Sequence, residues 1–127
     1  MSDTKPAIGT IGWIDLTVEN AVEVKDFYSK VVGWSASPIS MGDYDDFTMM
    51  PPGGSAPAAG ICHSRGGNKD IPPVWMLYII VANIDDSIAA CAENGGRLLN
   101  GPKTMGNDRY CFIEDPAGVT VALFEKG

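Results

Sequence analysis

The chain has 127 residues, enough for one sizeable core and not for two, and its 45% hydrophobic and 20% charged make-up is that of an ordinary globular domain. Its formal charge of -7 argues against nucleic acid or an anionic membrane surface as a partner. No apolar run approaches the length of a membrane span and Met1–Ile8 is too polar for a secretory signal, so a cytoplasmic location is expected.

Residues 1–9 read as a disordered or loosely held lead-in. Alternation begins at Thr10 and runs to Val18, with Ile14, Leu16 and Val18 pointing one way and Trp13, Asp15 and Thr17 the other. Residues Asn20 to Val32 follow at helical spacing. Val22, Val24, Phe27, Tyr28 and Val31 form the expected apolar side, and Glu19, Glu23, Lys25, Asp26 and Lys30 mostly the wet one. Gly33 ends this helix. Short strands are expected at Trp34–Ile39, Tyr44–Met50 and Ala58–His63, the last two separated by a Pro51-Pro52-Gly53-Gly54 turn whose prolines cannot continue a ladder.

Ser64–Pro73 is the longest polar, Gly- and Pro-bearing segment and reads as a linker. After it, Val74–Val81 is an unbroken apolar run of strand length, Asn83 is placed to cap a helix with Asp85 and Asp86 in its first turn, and Gly95-Gly96 stops that helix near residue 94. A short strand near Arg97–Leu99, a turn at Gly101-Pro102, a strand over 109–114, the turn Asp115-Pro116-Ala117-Gly118 and a strand over 119–125 complete the chain. Cys62, Cys91 and Cys111 are odd in number, lack CxxC spacing and lie in apolar segments, which predicts reduced core thiols.

The second half repeats the first. A shift of 63 residues lays Trp13–Asn20 over Met76–Asn83 and Gly33 over Gly96. One residue more lays Met41-Gly42 over Met105-Gly106, and Pro52 and Gly54 over Pro116 and Gly118. Each copy, about 10–63 and about 74–125, reads βαβββ and has too little apolar surface to stand alone. The expected architecture is therefore α+β, a single domain over residues 1–127 built from two packed repeats.

Three segments carry a family resemblance. DFYSKVVGW at Asp26–Trp34, VANIDDS at Val81–Ser87 and FIEDPAGVTVALFE at Phe112–Glu125 resemble the helix end, the strand-to-helix junction and the closing hairpin of the vicinal oxygen chelate superfamily, which includes glyoxalase I, bleomycin-resistance proteins and extradiol dioxygenases. The resemblance covers Ile11 to Glu125. It implies an incomplete barrel with an internal cleft, a homodimer, and in most members a divalent metal held by His, Gln or Glu from repeat-related strands. Carried onto this chain, those ligand positions fall on Trp13, Met76, Ala122 and, within Ala58–Cys62, Gly60, none of which offers a side-chain donor suited to such a metal. Neither a metal nor another cofactor is therefore expected.

Strand parity then predicts what lines the cleft: Trp13, Asp15 and Thr17, Met76, Tyr78 and Ile80, Tyr110 and Phe112, and Thr120, Ala122 and Phe124. The opposite faces are aliphatic and suit a helix cover. Aromatic walls with few polar groups are the make-up of a small-molecule pocket. Trp13, Asp15, Met76, Tyr78, Tyr110, Phe112, Ala122 and Phe124 are the candidate ligand-binding residues. Asp15 is the candidate catalytic residue, as a base or a fixed acceptor, or else it forms a structural hydrogen bond with Tyr78 or a backbone amide. The single histidine, His63, reads as a loop or surface residue beside the linker, and Arg109, at the mouth of a cleft-lining strand, as a solvated strand end or else a contact for an anionic ligand.

Phosphate-loop, nucleophile-elbow, zinc-protease and dinucleotide motifs are missing from the sequence. The expectation is a metal-free binding domain for a small, partly aromatic or apolar molecule. The alternatives are a glyoxalase-like lyase or dioxygenase-related enzyme with ligands relocated to Asp15 and His63, or metal-free acid-base chemistry by Asp15.

Overall fold

The computed structural model describes residues 6–127. In chain order the elements are β1 (Ile11–Val18), α1 (Ala21–Val32), β2 (Ser35–Ser40), β3 (Asp45–Met50), β4 (Ala59–His63), β5 (Trp75–Ile80), α2 (Ile84–Glu93), β6 (Arg97–Met105), β7 (Asp108–Glu114) and β8 (Thr120–Glu125), with one 3-10 turn at Gly66–Asn68. They fall into two compact units, Ile14–Trp75, and Met76–Gly127 together with residues 6–13.

In the unit Ile14–Trp75 the strand order is β2-β3-β4-β1, with β1 and β4 parallel and the other pairs antiparallel. Leu16 stands opposite Ile61, and Ile61 opposite Phe47. Helix α1 covers this row through Ala21, Val24 and Tyr28, and Met49 and Val18 join the same cluster. Burial of such a row supplies roughly 1.5–3 kcal/mol per large side chain against the entropy of ordering the chain. On the same side, Trp75 Nε1 donates to the Tyr28 hydroxyl at 3.2 Å, and the Tyr28, Trp34 and Trp75 rings pack with centroids 5.3 to 6.0 Å apart.

Of the apolar side expected for α1, Val24 and Tyr28 pack on the core and the other three residues do not. Val22, Phe27 and Val31 are exposed, whereas Lys25, assigned to the wet side, lays its ammonium 4.9 Å from the Phe47 ring centroid. The small Ala21, in line with Val24 and Tyr28, faces the sheet. It has no exposed surface at all.

The second unit repeats the plan as β5-β8-β7-β6, with β5 and β8 parallel and the remaining pairs antiparallel. Helix α2 packs Ile84 and Ile88 onto Cys111, Ile113, Leu123, Ile79 and Val81. Its start is capped twice: Asn83 Oδ1 accepts the Asp86 N–H at 3.0 Å, and Glu125 Oε1 accepts the Ile84 N–H at 2.7 Å. Helix α1 lacks that side-chain cap. The Asn20 amide instead donates to Glu23 Oε1 at 3.0 Å.

Both helices are followed by a left-handed glycine, Gly33 at φ +80 and Gly95, of the expected Gly95-Gly96 pair, at φ +91. Each packs on the turn of its own repeat. A Cβ on Gly33 would lie 3.2 Å from Pro52, and one on Gly95 3.5 Å from Pro116.

Two expectations need correction. Strand β6 does not stop at Leu99: it runs on to Met105 through the cis Gly101-Pro102 bond, absorbing the proline with shifts of register between Leu98 and Lys103. Residues 1–5 of the expected loose lead-in lie outside the described residues, but its end is tied down, with the Gly9 N–H donating to the Ile80 carbonyl at 2.8 Å. Within Ser64–Pro73, Ile71 is buried.

Candidate functional site

Each unit has one face covered by its helix and one that its helix leaves bare. In the unit Met76–Gly127, Tyr78 stands opposite Ala122 and Ala122 opposite Phe112, while Ile80 stands opposite Phe124 and Phe124 opposite Tyr110. Side chains in register share a face, and the alternate residues of the same strands, Ile79, Cys111 and Leu123, are those under α2. The helix-free face is therefore the aromatic one. Phe112 sits at its centre, with ring centroids 6.3 Å from Tyr78 and 5.9 Å from Tyr110, both edge to face. Met76, Ala122 and Phe112 are buried, whereas Tyr78, Tyr110 and Phe124 are half-buried. Lys103, opposite Tyr110 on β6, places its ammonium 5.9 Å from the Phe112 centroid.

The helix-free face of the unit Ile14–Trp75 is polar. Asp15 stands opposite Gly60, which stands opposite Thr48, and Thr17 stands opposite Cys62. Glycine puts no side chain beside the Asp15 carboxylate. Burial, then the negative charges of Asp15 and Asp46, then a hydrogen bond to Asp46 push the Cys62 thiol up to about 12. A thiol held so high is protonated at neutral pH and is a poor nucleophile.

His63 is not a surface residue. It follows Ile61 on the helix-covered side of β4: its ring meets Tyr44 and Phe47, and its Nδ1 lies 3.4 Å from the buried Asp46 carboxylate. It helps line a groove of about 770 Å³ over the start of α1, together with Asn20, Glu23, Phe27 and Lys30. Asp15 therefore faces one side of its sheet and His63 the other. Arg109 likewise leaves the aromatic face. Its guanidinium forks onto Asp85 of α2 at 2.9 and 3.1 Å, and that hydrogen bond holds the Asp85 carboxyl below its ordinary range.

All three cysteines are free thiols. Cys111 lies in the core under α2, where burial first and Cys91 second push its thiol up to about 11.

The family model for the Glyoxalase/Bleomycin resistance protein/Dioxygenase superfamily matches residues 10–123. The chain belongs to this superfamily. Over 120 residues it is 30% identical to the Mycobacterium tuberculosis protein named "Putative glyoxylase CFP32", covering 92% of this chain and 46% of that one. It is 26% identical over 136 residues to the anthracycline biosynthesis protein DnrV of Streptomyces peucetius, covering 98% of this chain and 50% of that one. The chain thus spans about half the length of these relatives. Among solved structures it resembles methylmalonyl-CoA epimerase from Mycobacterium tuberculosis at a TM-score of 0.58 and 18% identity, covering 99% of this chain and 94% of that one, a likeness of fold.

Glyoxalase-superfamily members commonly hold a divalent metal, and the donor set here does not fit one. The positions that the resemblance assigns to ligands carry an indole, a thioether, a methyl group and a hydrogen, at Trp13, Met76, Ala122 and Gly60. An indole N–H only donates, and a thioether is too soft for the hard and borderline ions concerned. Ala122 faces the rings of Tyr78 and Phe112 on the helix-free side. Among the described residues no three His, Cys, Asp or Glu side chains are grouped to hold a metal ion.

Two groups escaped the sequence reading. Asp46 ties Cys62 to the main chain of His63, and Lys103 stands over the aromatic face. Pairing of β3 with β4 would have pointed to the first. Nothing in the sequence pointed to the second, because its strand was read as ending at Leu99.

Proposed function

We propose that the chain is a metal-free binding domain of the glyoxalase superfamily, whose aromatic face in the unit Met76–Gly127 takes a small, partly aromatic or apolar molecule. One observation carries this reading. On the sheet face that α2 does not cover, Tyr78, Tyr110 and Phe124 are half-buried around Phe112, Met76 and Ala122, the last two at positions that the resemblance assigns to metal ligands. Such rings offer stacking area at small entropic cost, worth about 0.5–1.5 kcal/mol per ring pair beyond burial. The relative in anthracycline biosynthesis supports an aromatic ligand class.

A lyase with a metal shared by Asp15 and His63 is disfavoured, because the two side chains face opposite sides of one sheet. We also infer self-association, supported by exposed Leu98, Leu99 and Met105 on the outer strand β6. Sedimentation giving only monomer at all concentrations would remove it.

The test is a thermal-shift screen of small aromatic molecules and divalent metals, with and without chelator. Stabilisation should follow RT ln(1 + [L]/Kd) for aromatics and be indifferent to chelator. Stoichiometric zinc or nickel, lost to chelator together with a lyase activity, would overturn the proposal.

A further inference from the structure

We propose that the groove over the start of α1 is a second ligand site and that it takes a small organic ammonium with an aromatic or apolar body. His63 Nε2 accepts from the ammonium, Phe27 packs on the body, and Glu19 and Glu23 offset the positive charge. This site does not depend on the aromatic face of the other unit.

Every residue of the groove belongs to the unit Ile14–Trp75. Its volume of about 770 Å³ is that of a small-molecule site, and Ala21, Val22 and Phe27 supply apolar wall beside a few polar groups. Phe27 is 56% exposed, which leaves an aromatic ring in reach of a ligand among carboxylates.

His63 supplies the acceptor. Its Nδ1 is buried 3.4 Å from the Asp46 carboxylate, and that carboxylate is itself held by the His63 main-chain N–H at 2.8 Å. A lone pair on Nδ1 would face the negative charge, so the neutral ring carries its proton there and keeps its lone pair on Nε2. With Nδ1 turned to Asp46, the ring meets the groove by its other edge, where Nε2 lies.

Charge then sets the ligand class. Asp26 is offset by the Lys25 ammonium at 3.0 Å, whereas Glu23 accepts from the neutral Asn20 amide and keeps its charge. Glu19 and Glu23 therefore outweigh Lys30 at the groove, and the net charge of -7 draws cations from a distance. An ammonium donates to Nε2 and meets the carboxylates with one group. An anion meets like charge and finds no donor on the neutral ring. The remaining titratable or charged groups around His63 are Asp46, Cys62 and Tyr44, the last with the Arg65 guanidinium over its ring.

The test uses the chain's one histidine, whose imidazole gives a single set of NMR signals. Phenethylamine, 2-phenylethanol and 3-phenylpropanoate, close in shape and different in charge, are titrated into the whole chain at about pH 8, where an ordinary imidazole is neutral and the amine is charged. The amine should shift the His63 signals saturably and bind about tenfold tighter than the alcohol, and the propanoate should leave them unmoved. Glu19→Gln with Glu23→Gln should bring the amine to the alcohol's affinity, and Phe27→Ala should weaken both. At about pH 5, where an ordinary imidazole has taken its second proton and carboxylates are still largely ionised, the amine should weaken about tenfold and the alcohol far less. Equal binding of the amine and the alcohol in the wild type would overturn the charge assignment, and an amine affinity indifferent to this pH change would overturn the role of His63. Amine binding that moves Tyr78 and Phe112 without His63, or no amine binding to the folded chain, would overturn the site.

Discussion

The buried Asp46 carboxylate accepts the main-chain N–H of His63 at 2.8 Å, fastening β3 to the end of β4. The same carboxylate is bonded to the Cys62 thiol. Asp46→Ala leaves a half-buried N–H and a half-buried thiol without their acceptor. It should cost about 2–3 kcal/mol in a denaturant titration, whereas Asp46→Asn, which keeps a carbonyl oxygen, should cost less than half of that.

Reactivity of Cys62 checks the same cluster. The thiol rises from 9.0 to about 12 in the folded chain. Iodoacetamide at pH 8 should therefore leave Cys62 unmodified in the native protein and label it when the chain is unfolded. Removing either charge, by Asp15→Asn or Asp46→Asn, should speed native labelling. The linkage has a definite sign. Between about pH 9 and pH 12 the unfolded state has lost this proton and the folded state keeps it, so stability falls as pH rises through that window. Cys62→Ala should flatten the alkaline decline.

Asp85 gives the opposite sign at the acid end. The hydrogen bond from Arg109 lowers its pKa below 3.8, so its contribution is present above that value and is lost as pH falls through the lowered folded value. A carboxyl-detected NMR titration should find the Asp85 midpoint below 3.8, and Arg109→Gln should return it toward that value.

The three-ring cluster of Tyr28, Trp34 and Trp75 predicts a spectroscopic signature. Tyr28→Phe removes the acceptor of Trp75 Nε1 and should cost about 1 kcal/mol, with a change in near-ultraviolet circular dichroism and little change in the far-ultraviolet spectrum.

Much of this was legible because the repeat and strand parity are local properties. Alternation at Trp13–Val18 and the doubled copy at Met76–Val81 place Tyr78, Phe112 and Ala122 on one face and Ile79, Cys111 and Leu123 on the other. What failed depends on partners distant in sequence. The apolar side expected for α1 joins Val22, Phe27 and Val31 to Val24 and Tyr28, whereas the sheet accepts the helix at Ala21, Val24 and Tyr28 alone of these. His63 looked solvated because it adjoins a polar segment, yet its partners Tyr44, Asp46 and Phe47 come from the neighbouring strand. Arg109 was assigned to the cleft mouth, but its counter-charge is on α2, a relation no spacing announces. Gly101-Pro102 reads as a turn in any sequence, and only the observed ladder shows β6 passing through it.

The central claim is that the helix-free face of the second repeat binds an aromatic molecule without a metal. The most direct measurement is an aromatic-side-chain NMR titration of the chelator-treated protein with 2-naphthoate. Saturable shifts at Tyr78, Tyr110, Phe112 and Phe124 are the predicted result. Shifts confined to Phe27 in the groove over α1, or binding that appears only after a divalent metal is added, would contradict it.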